Sequence, residues 1–180
     1  MALNDDAVLI PGTGHIYLAP VNTVEPVAPT APTTPWVEVG HTSLEEGLSI
    51  SREGGDPEVK GTWQSTALRE RREPTVWSIG FQVHQVDREN LGLFFGAGTV
   101  TAGRFGVSAN PTPTEHALYV RMVDGANEIG LWIPKVSLFA NDDVEVDPEN
   151  FLSFPVRATV LSVTGEDLMA WLSDEIVVAP

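Results

Sequence analysis

Four histidines, His15, His41, His84 and His116, are the side chains in this chain best suited to bind a metal or to move a proton near neutral pH. Two imidazoles reach one ion only when they converge, which favours short fixed spacings such as His-x-His or His-x-x-x-His. No such pair occurs. The histidines read as solvated or structural. With no cysteine in the chain, thiolate ligands, thiol nucleophiles and disulfides are all excluded. Gly12-Thr13-Gly14 and Gly96-Ala97-Gly98 lack the full glycine fingerprint of a dinucleotide site, and the second pair follows a helical pattern rather than a strand. They read as turns.

Carboxylates are abundant but poorly placed for chemistry. Glu45 and Glu46, or Asp142 and Asp143, are sequence neighbours, and neighbours on a strand point to opposite faces. Asn141, Asp143, Glu145 and Asp147 alternate as in a calcium loop, yet Val146 holds the sixth place, which needs glycine, and Leu152 the twelfth, which needs glutamate. A strand from Val144 to Asp147 is expected instead, with Asp143, Glu145 and Asp147 forming an acidic row. No catalytic set, cofactor or metal site is expected.

The elements that must carry these residues follow from composition and period. The chain has 180 residues, 10 Lys+Arg against 25 Asp+Glu, and a net charge of −15, which opposes gripping nucleic-acid phosphates. Hydrophobic residues make up 42% and charged residues 19%, the balance of a folded domain. One domain over residues 1–180 is expected, with no signal peptide at Met1 to Pro11 and no membrane-spanning run. Gly 16 and Pro 14 favour a turn-rich, mainly β chain.

Strands are expected at His15–Val21, within Trp36–Arg52, and at Thr75–Val86, Phe105–Ala109, His116–Val123, Glu128–Leu138 and Phe151–Val163. In the last of these Pro155 suggests an edge or a bulge. In Thr75–Val86, Trp77, Ile79, Phe81 and Val83 alternate with Ser78, Gly80, Gln82 and His84, the pattern of a half-buried antiparallel strand. Asp87 is placed to cap a helix bearing Leu91, Phe94 and Phe95, ended by Gly96 or Gly98. A short helix is expected over residues 166–175 from the spacing of Leu168, Trp171 and Leu172. The Pro-rich stretch 20–36 reads as an extended arm, either a surface insertion or a reach between subunits; the fifteen residues from Val21 to Pro35 at ~3.1 Å each span roughly 46 Å. Residues 53–74 form a hairpin or long charged loop that carries Lys60, Arg69, Arg71 and Arg72, four of the ten basic residues.

This layout resembles the major tail tube proteins of siphophages. The resemblance rests on Gly47-Leu48-Ser49-Ile50-Ser51, the long loop to Pro74, the strand Thr75-Val76-Trp77-Ser78-Ile79-Gly80-Phe81, the helix from Asp87 to Gly96, Trp132-Ile133-Pro134-Lys135-Val136 and the final hairpin to Val163. It covers roughly Trp36 to Gly165. It implies an antiparallel β-sandwich or half-barrel with one packed α-helix, whose copies close into hexameric rings that stack into a tube. Four strands per copy would line the bore. Twenty-four strands at ~4.8 Å and a tilt of 0 to 40° give roughly 37 to 48 Å between opposite backbones, wide enough for a DNA duplex.

A basic wall would trap phosphates, whereas an acidic wall keeps DNA off the surface. Asp143, Glu145 and Asp147, then Glu45 and Glu46, are therefore the candidates to line the lumen; the other reading is an outward solvated face. By the same resemblance, loop 53–74 contacts the next ring, with Trp63, Arg69, Arg71 and Arg72 as the contact residues. The implied partners are further copies of the chain, the tape measure protein and phage DNA inside the bore, and the tail terminator and tail tip proteins. The implied place is the virion tail, assembled in the host cytoplasm. A second reading is a carbohydrate- or receptor-binding β-sandwich in which exposed Trp36, Trp63 or Trp132 would stack on a ligand.

Overall fold

A computed structural model describes residues 8–27, 29–144 and 146–176. The alternating apolar pattern resolves into an antiparallel sheet built from β1 (Thr13–Ala19), β2 (Val37–Glu38), β3 (Leu48–Glu53), β6 (Val76–Val83), β9 (Thr114–Asp124), β10 (Asn127–Ala140), β11 (Phe154–Val160) and β12 (Ala170–Leu172). Its order is β2-β1-β9-β10-β11-β6-β3, with β12 pairing separately on β10. Two small hairpins stand apart from it: β4 (Pro57–Thr62) with β5 (Ser65–Arg72), and β7 (Thr99–Thr101) with β8 (Arg104–Gly106). The mainly β architecture with one helix is as the sequence led one to expect.

One face of the sheet is the core. Ile79, Phe81 and Val83 of β6 meet Val156 and Ala158 of β11, and beyond them Leu138, Val136, Ile133 and Leu131 of β10 and Leu118 and Val120 of β9. β10 holds both halves of its apolar set inward only through a register shift between Ile133 and Val136. Without it, Leu131 and Ile133 would face opposite to Val136 and Leu138, because strand side chains alternate. α1 (Arg88–Phe95) lies over this core. Asp87 caps it, its Oδ1 accepting the Asn90 N–H at 2.8 Å, and Gly96 ends it at φ 75°. Leu93 and Phe94 are buried, and Phe94 meets Phe154 edge-on at 5.5 Å between ring centres.

The other face divides in two. Around Tyr17, Tyr119 and Trp132 it is covered by the Pro-rich stretch: Trp132 Nε1 donates to the Thr23 carbonyl, the Tyr119 hydroxyl to that of Thr30, and Trp36 packs on the Tyr119 ring. Gly130 permits this stacking, since a Cβ there would lie 2.8 Å from the Tyr119 ring. Where described, the stretch 20–36 thus lies along its own subunit's sheet rather than standing off it. Over β3, β6 and β11 the same face is polar, with the small Ser49, Ser51, Ser78, Gly80 and Thr159 beside Gln82, Arg157 and Glu53.

Several expected elements differ. Asp142–Asn150 is loop wherever it is described; no strand spans Val144 to Asp147, because Val146 has no apolar surface to face and is exposed. Strand β11 is interior, not an edge. Pro155 is tolerated because its carbonyl accepts the Asn141 N–H just past the end of β10, where the missing donor of proline falls at the limit of the ladder. Residues 166–175 hold β12 instead of a helix, with Ala170 and Leu172 packed beside Trp132. The strand expected at Phe105–Ala109 is the β7–β8 hairpin, turned at Gly103 with φ 70°.

Candidate assembly surfaces

The surfaces that could do work are the outer strands, the two ends of the sheet and the faces of the β4–β5 hairpin. β3 is the outermost strand on one side. It pairs with β6 and has no strand on its other side among the described residues. Its six residues contain no proline and no bulge, two of the devices that blunt an edge against further pairing, and its charges, Arg52 and Glu53, are confined to its last two positions. The opposite border is the two-residue β2 on β1.

At one end of the sheet, β3 gives way to the hairpin that residues 53–74 form. Its partners set its faces. Glu58 pairs with Arg71 and Lys60 with Arg69, so these four side chains share one face. Pro57, Val59, Leu68, Glu70 and Arg72 share the other, where Arg72 Nε donates to Glu70 at 2.5 Å. Trp63 sits fully exposed in the two-residue connection between Thr62 and Ser65. All of β4 is exposed, and of β5 only Ser65 is partly covered. Arg69 and Arg71 have no ion-pair partner among the described residues. On that face Lys60 lies 3.6 Å from Glu58 and opposite Arg69. The sequence supplied Trp63, Arg69, Arg71 and Arg72. It missed Val59 and Leu68, whose apolar character on one hairpin face was legible only once the Val59–Glu70 register was known.

At the other end lie the turn 44–47, the start of α1 and the connection 141–153. Thr42 bridges to Val83, Ser43 N–H donates to Gln82, and Asn141 N–H donates to Pro155, which fixes all three segments at that end. Glu45 and Glu46 are here, on a turn and not on a strand face, and both are exposed. Asp143 and Asp147 are here too, and exposed; Glu145 lies outside the described residues. Asp147 accepts the Glu149 N–H at 2.9 Å and the Asn150 amide at 2.6 Å, and these bonds hold its carboxyl below the usual range. Asp142, considered in the sequence only as a neighbour of Asp143, and Glu149, not singled out there, join the group, and the exposed apolar Leu44, Val146 and Phe151 stand among them. Phe151 also tilts against His84, whose Nδ1 lies 3.2 Å from the Leu152 carbonyl.

The histidines do not meet. His15 bonds Glu38 at 2.6 Å, His116 is half-buried beside Ala19, and His41 shares a shallow depression with His15 and Gln85. Among the described residues no three His, Asp or Glu side chains converge to hold a metal ion. Of the three tryptophans offered for ligand stacking, Trp132 is buried and Trp36 is packed on Tyr119, which leaves Trp63 alone with a free face.

An open strand edge and a freestanding hairpin, with no converging catalytic or metal-binding set among the described residues, are the features of a structural subunit. A family model for phage tail tube proteins matches residues 1–180, and the chain belongs to that family. It is similar to the Major tail protein Gp23 of Mycobacterium phage D29, at 34% identity over 98% of this chain and 96% of that protein. It is also similar to the Major tail protein Gp23 of Mycobacterium phage L5, at 32% identity over 100% of this chain and 98% of that protein. The match therefore extends past Trp36 and Gly165 to the Pro-rich stretch and the C-terminal segment.

Proposed function

We propose that this tail tube subunit closes edge to edge into hexameric rings, that the rings stack, and that their common bore passes DNA during ejection. The observation that carries this reading is the open outer edge of β3, without bulge or proline, which leaves a row of backbone donors and acceptors for another copy. Ring closure satisfies them. Six copies at −15 each bring −90 to a ring, so the bore wall repels phosphate and the duplex slides without being trapped. Glu45, Glu46, Asp143 and Asp147 sit at one end of the sheet, which in a ring is a rim of the bore; Glu145 belongs to the same acidic run in the sequence. The hairpin with Trp63, Arg69, Arg71 and Arg72 reaches the neighbouring ring.

The tape measure protein and DNA would occupy the bore, with the terminator and tip proteins at its ends, and assembly would take place in the host cytoplasm. The subunit works by association and has no catalytic role. Mass measurement and electron microscopy of the purified protein test this: hexameric rings or tubes support it, and a monomer or trimer that retains a glycan supports a ligand-binding module instead.

A further inference from the structure

We propose that the aromatic face beneath the Pro-rich stretch is a proline-reading site, that residues 23–32 are its resident ligand, and that it takes a proline-rich segment of another polypeptide when this strap lifts. None of this depends on assembly.

Three observations carry it. First, the prolines keep a strict spacing. Pro26, Pro29, Pro32 and Pro35 stand three residues apart, the repeat of a polyproline helix, which turns once in three residues. Burial follows the same period: Pro26 and Pro29 are buried and Thr23 and Pro32 half-buried, while Val24, Glu25, Val27, Thr30, Ala31 and Thr33 are exposed. One edge of the strap therefore faces the sheet. Second, the surface it faces is a row of rings. Tyr17, Tyr119 and Trp132 are register partners on β1, β9 and β10, and Trp36 tilts over Tyr119 at 5.9 Å between ring centres. Third, the donors point from groove to ligand. Trp132 Nε1 donates to the Thr23 carbonyl at 3.2 Å, and the Tyr119 hydroxyl to the Thr30 carbonyl at 3.3 Å. Bends at Val27, Pro29 and Thr30 curve the strap, which lets donors from paired positions reach carbonyls seven residues apart. Among the described residues, 24–32 make no backbone–backbone hydrogen bond. Carbonyls that accept from aromatic side chains, and prolines that pack on the face of those rings, are how proline-rich peptides are held in aromatic grooves.

The strap can lift as a unit. A turn closes at each end, Thr23 N–H to Pro20 and Trp36 N–H to Thr33, and Asn22 N–H holds the near end on Pro134. The pairs that join β1, β9 and β10 include no residue of 23–32, so its release leaves the ladder intact. Tethered at both ends, the strap occupies the face at an effective concentration of about millimolar. That excludes a free peptide from the native subunit below this level.

A peptide of residues 23–33, which carries no tryptophan, is the probe. Pro26→Ser with Pro29→Ser in the full chain weakens the strap and frees the face. This variant should bind the peptide at least tenfold more tightly than one of the same composition with its proline spacing scrambled, and the Trp132 indole N–H resonance should shift on binding. The native chain should bind neither peptide at micromolar concentration. Tyr119→Phe added to the double variant should weaken binding several-fold, since a donor to the ligand is lost. A double variant that binds both peptides alike, binds neither, or fails to fold would overturn the inference. In the native chain, exchange of the Trp132 indole N–H should run faster than that of the β9 and β10 amides around it, because the strap opens while the sheet stays closed. Exchange of that proton only together with the whole sheet would make the strap part of the cooperative core, which also overturns the proposal.

Discussion

Arg157 of β11 reaches across β6 to ion-pair with Glu53, the last residue of β3 before the hairpin departs. On that face the intervening strand offers Gly80 opposite Arg157 and then the small Ser78, so no bulky side chain stands in the path. Glu53 is exposed and Arg157 partly so, and surface ion pairs contribute about 0 to 1 kcal/mol. Arg157→Ala should therefore lower the stability of the isolated subunit by less than about 1 kcal/mol, read from denaturant unfolding. A loss of several kcal/mol would show that the root of the hairpin is more deeply bound to the fold than its exposure indicates.

The core should respond quite differently. Leu138 of β10 is fully buried opposite Ala158, in the cluster shared with Ile79 and Val156. Leu138→Ala removes buried carbon and leaves a cavity, for a cost of about 2 to 5 kcal/mol. In a domain of this size that is several degrees in Tm. Calorimetry checks it, and an unchanged Tm would mean that the strand collapses to fill the space.

Asn90 ties α1 to the sheet. It is buried, its side-chain amide donates to the Val39 carbonyl at 3.0 Å and to Asp87, and its backbone N–H receives the cap. Asp87→Ala should cost about 1 kcal/mol, the usual loss of an N-cap. Asn90→Leu should cost more, about 1 to 3 kcal/mol, because it leaves a buried carbonyl without a donor. Thermal melts of the two variants give the order directly.

Glu128 and His116, together with the exposed Asp147, make the fold acid-sensitive. Arg121 donates to Glu128 through Nε at 2.8 Å and Nη2 at 2.5 Å, and this hydrogen bonding lowers the Glu128 carboxyl below its ordinary 4.5. The folded state thus keeps a charge that the unfolded chain would protonate, so this stabilisation is complete above 4.5 and lost as pH falls through the lowered value. Burial lowers His116 below its ordinary 6.5 and favours the neutral ring. The unfolded chain binds the proton first, so stability also declines as pH falls from 6.5 toward the lowered value. Tm against pH should therefore drop in two stages. His116→Gln should flatten the first and Glu128→Gln the second.

Much of the sheet was legible because its signals are local. The alternation from Trp77 to Val83 and the Asp87 cap need only their own neighbours, and both appear where the sequence puts them. What failed needed distant partners. Leu168, Trp171 and Leu172 fit a helical period, but Ala170 and Leu172 find Trp132 and Tyr119 across space and form β12. The acidic alternation of Asp143 and Asp147 predicted a strand, yet Val144 alone of its apolar positions meets the core, and Val146 is exposed. The basic residues at 69–72 were visible as a cluster, but their division between two hairpin faces depends on the pairing of Lys60 with Arg69.

A reconstruction of the tube at side-chain resolution tests the central claim most directly. It should show six copies per ring, β3 paired across the subunit boundary, and the 53–74 hairpin against a copy in the adjoining ring. A tube in which β3 stays unpaired and the hairpin points into solvent would contradict it.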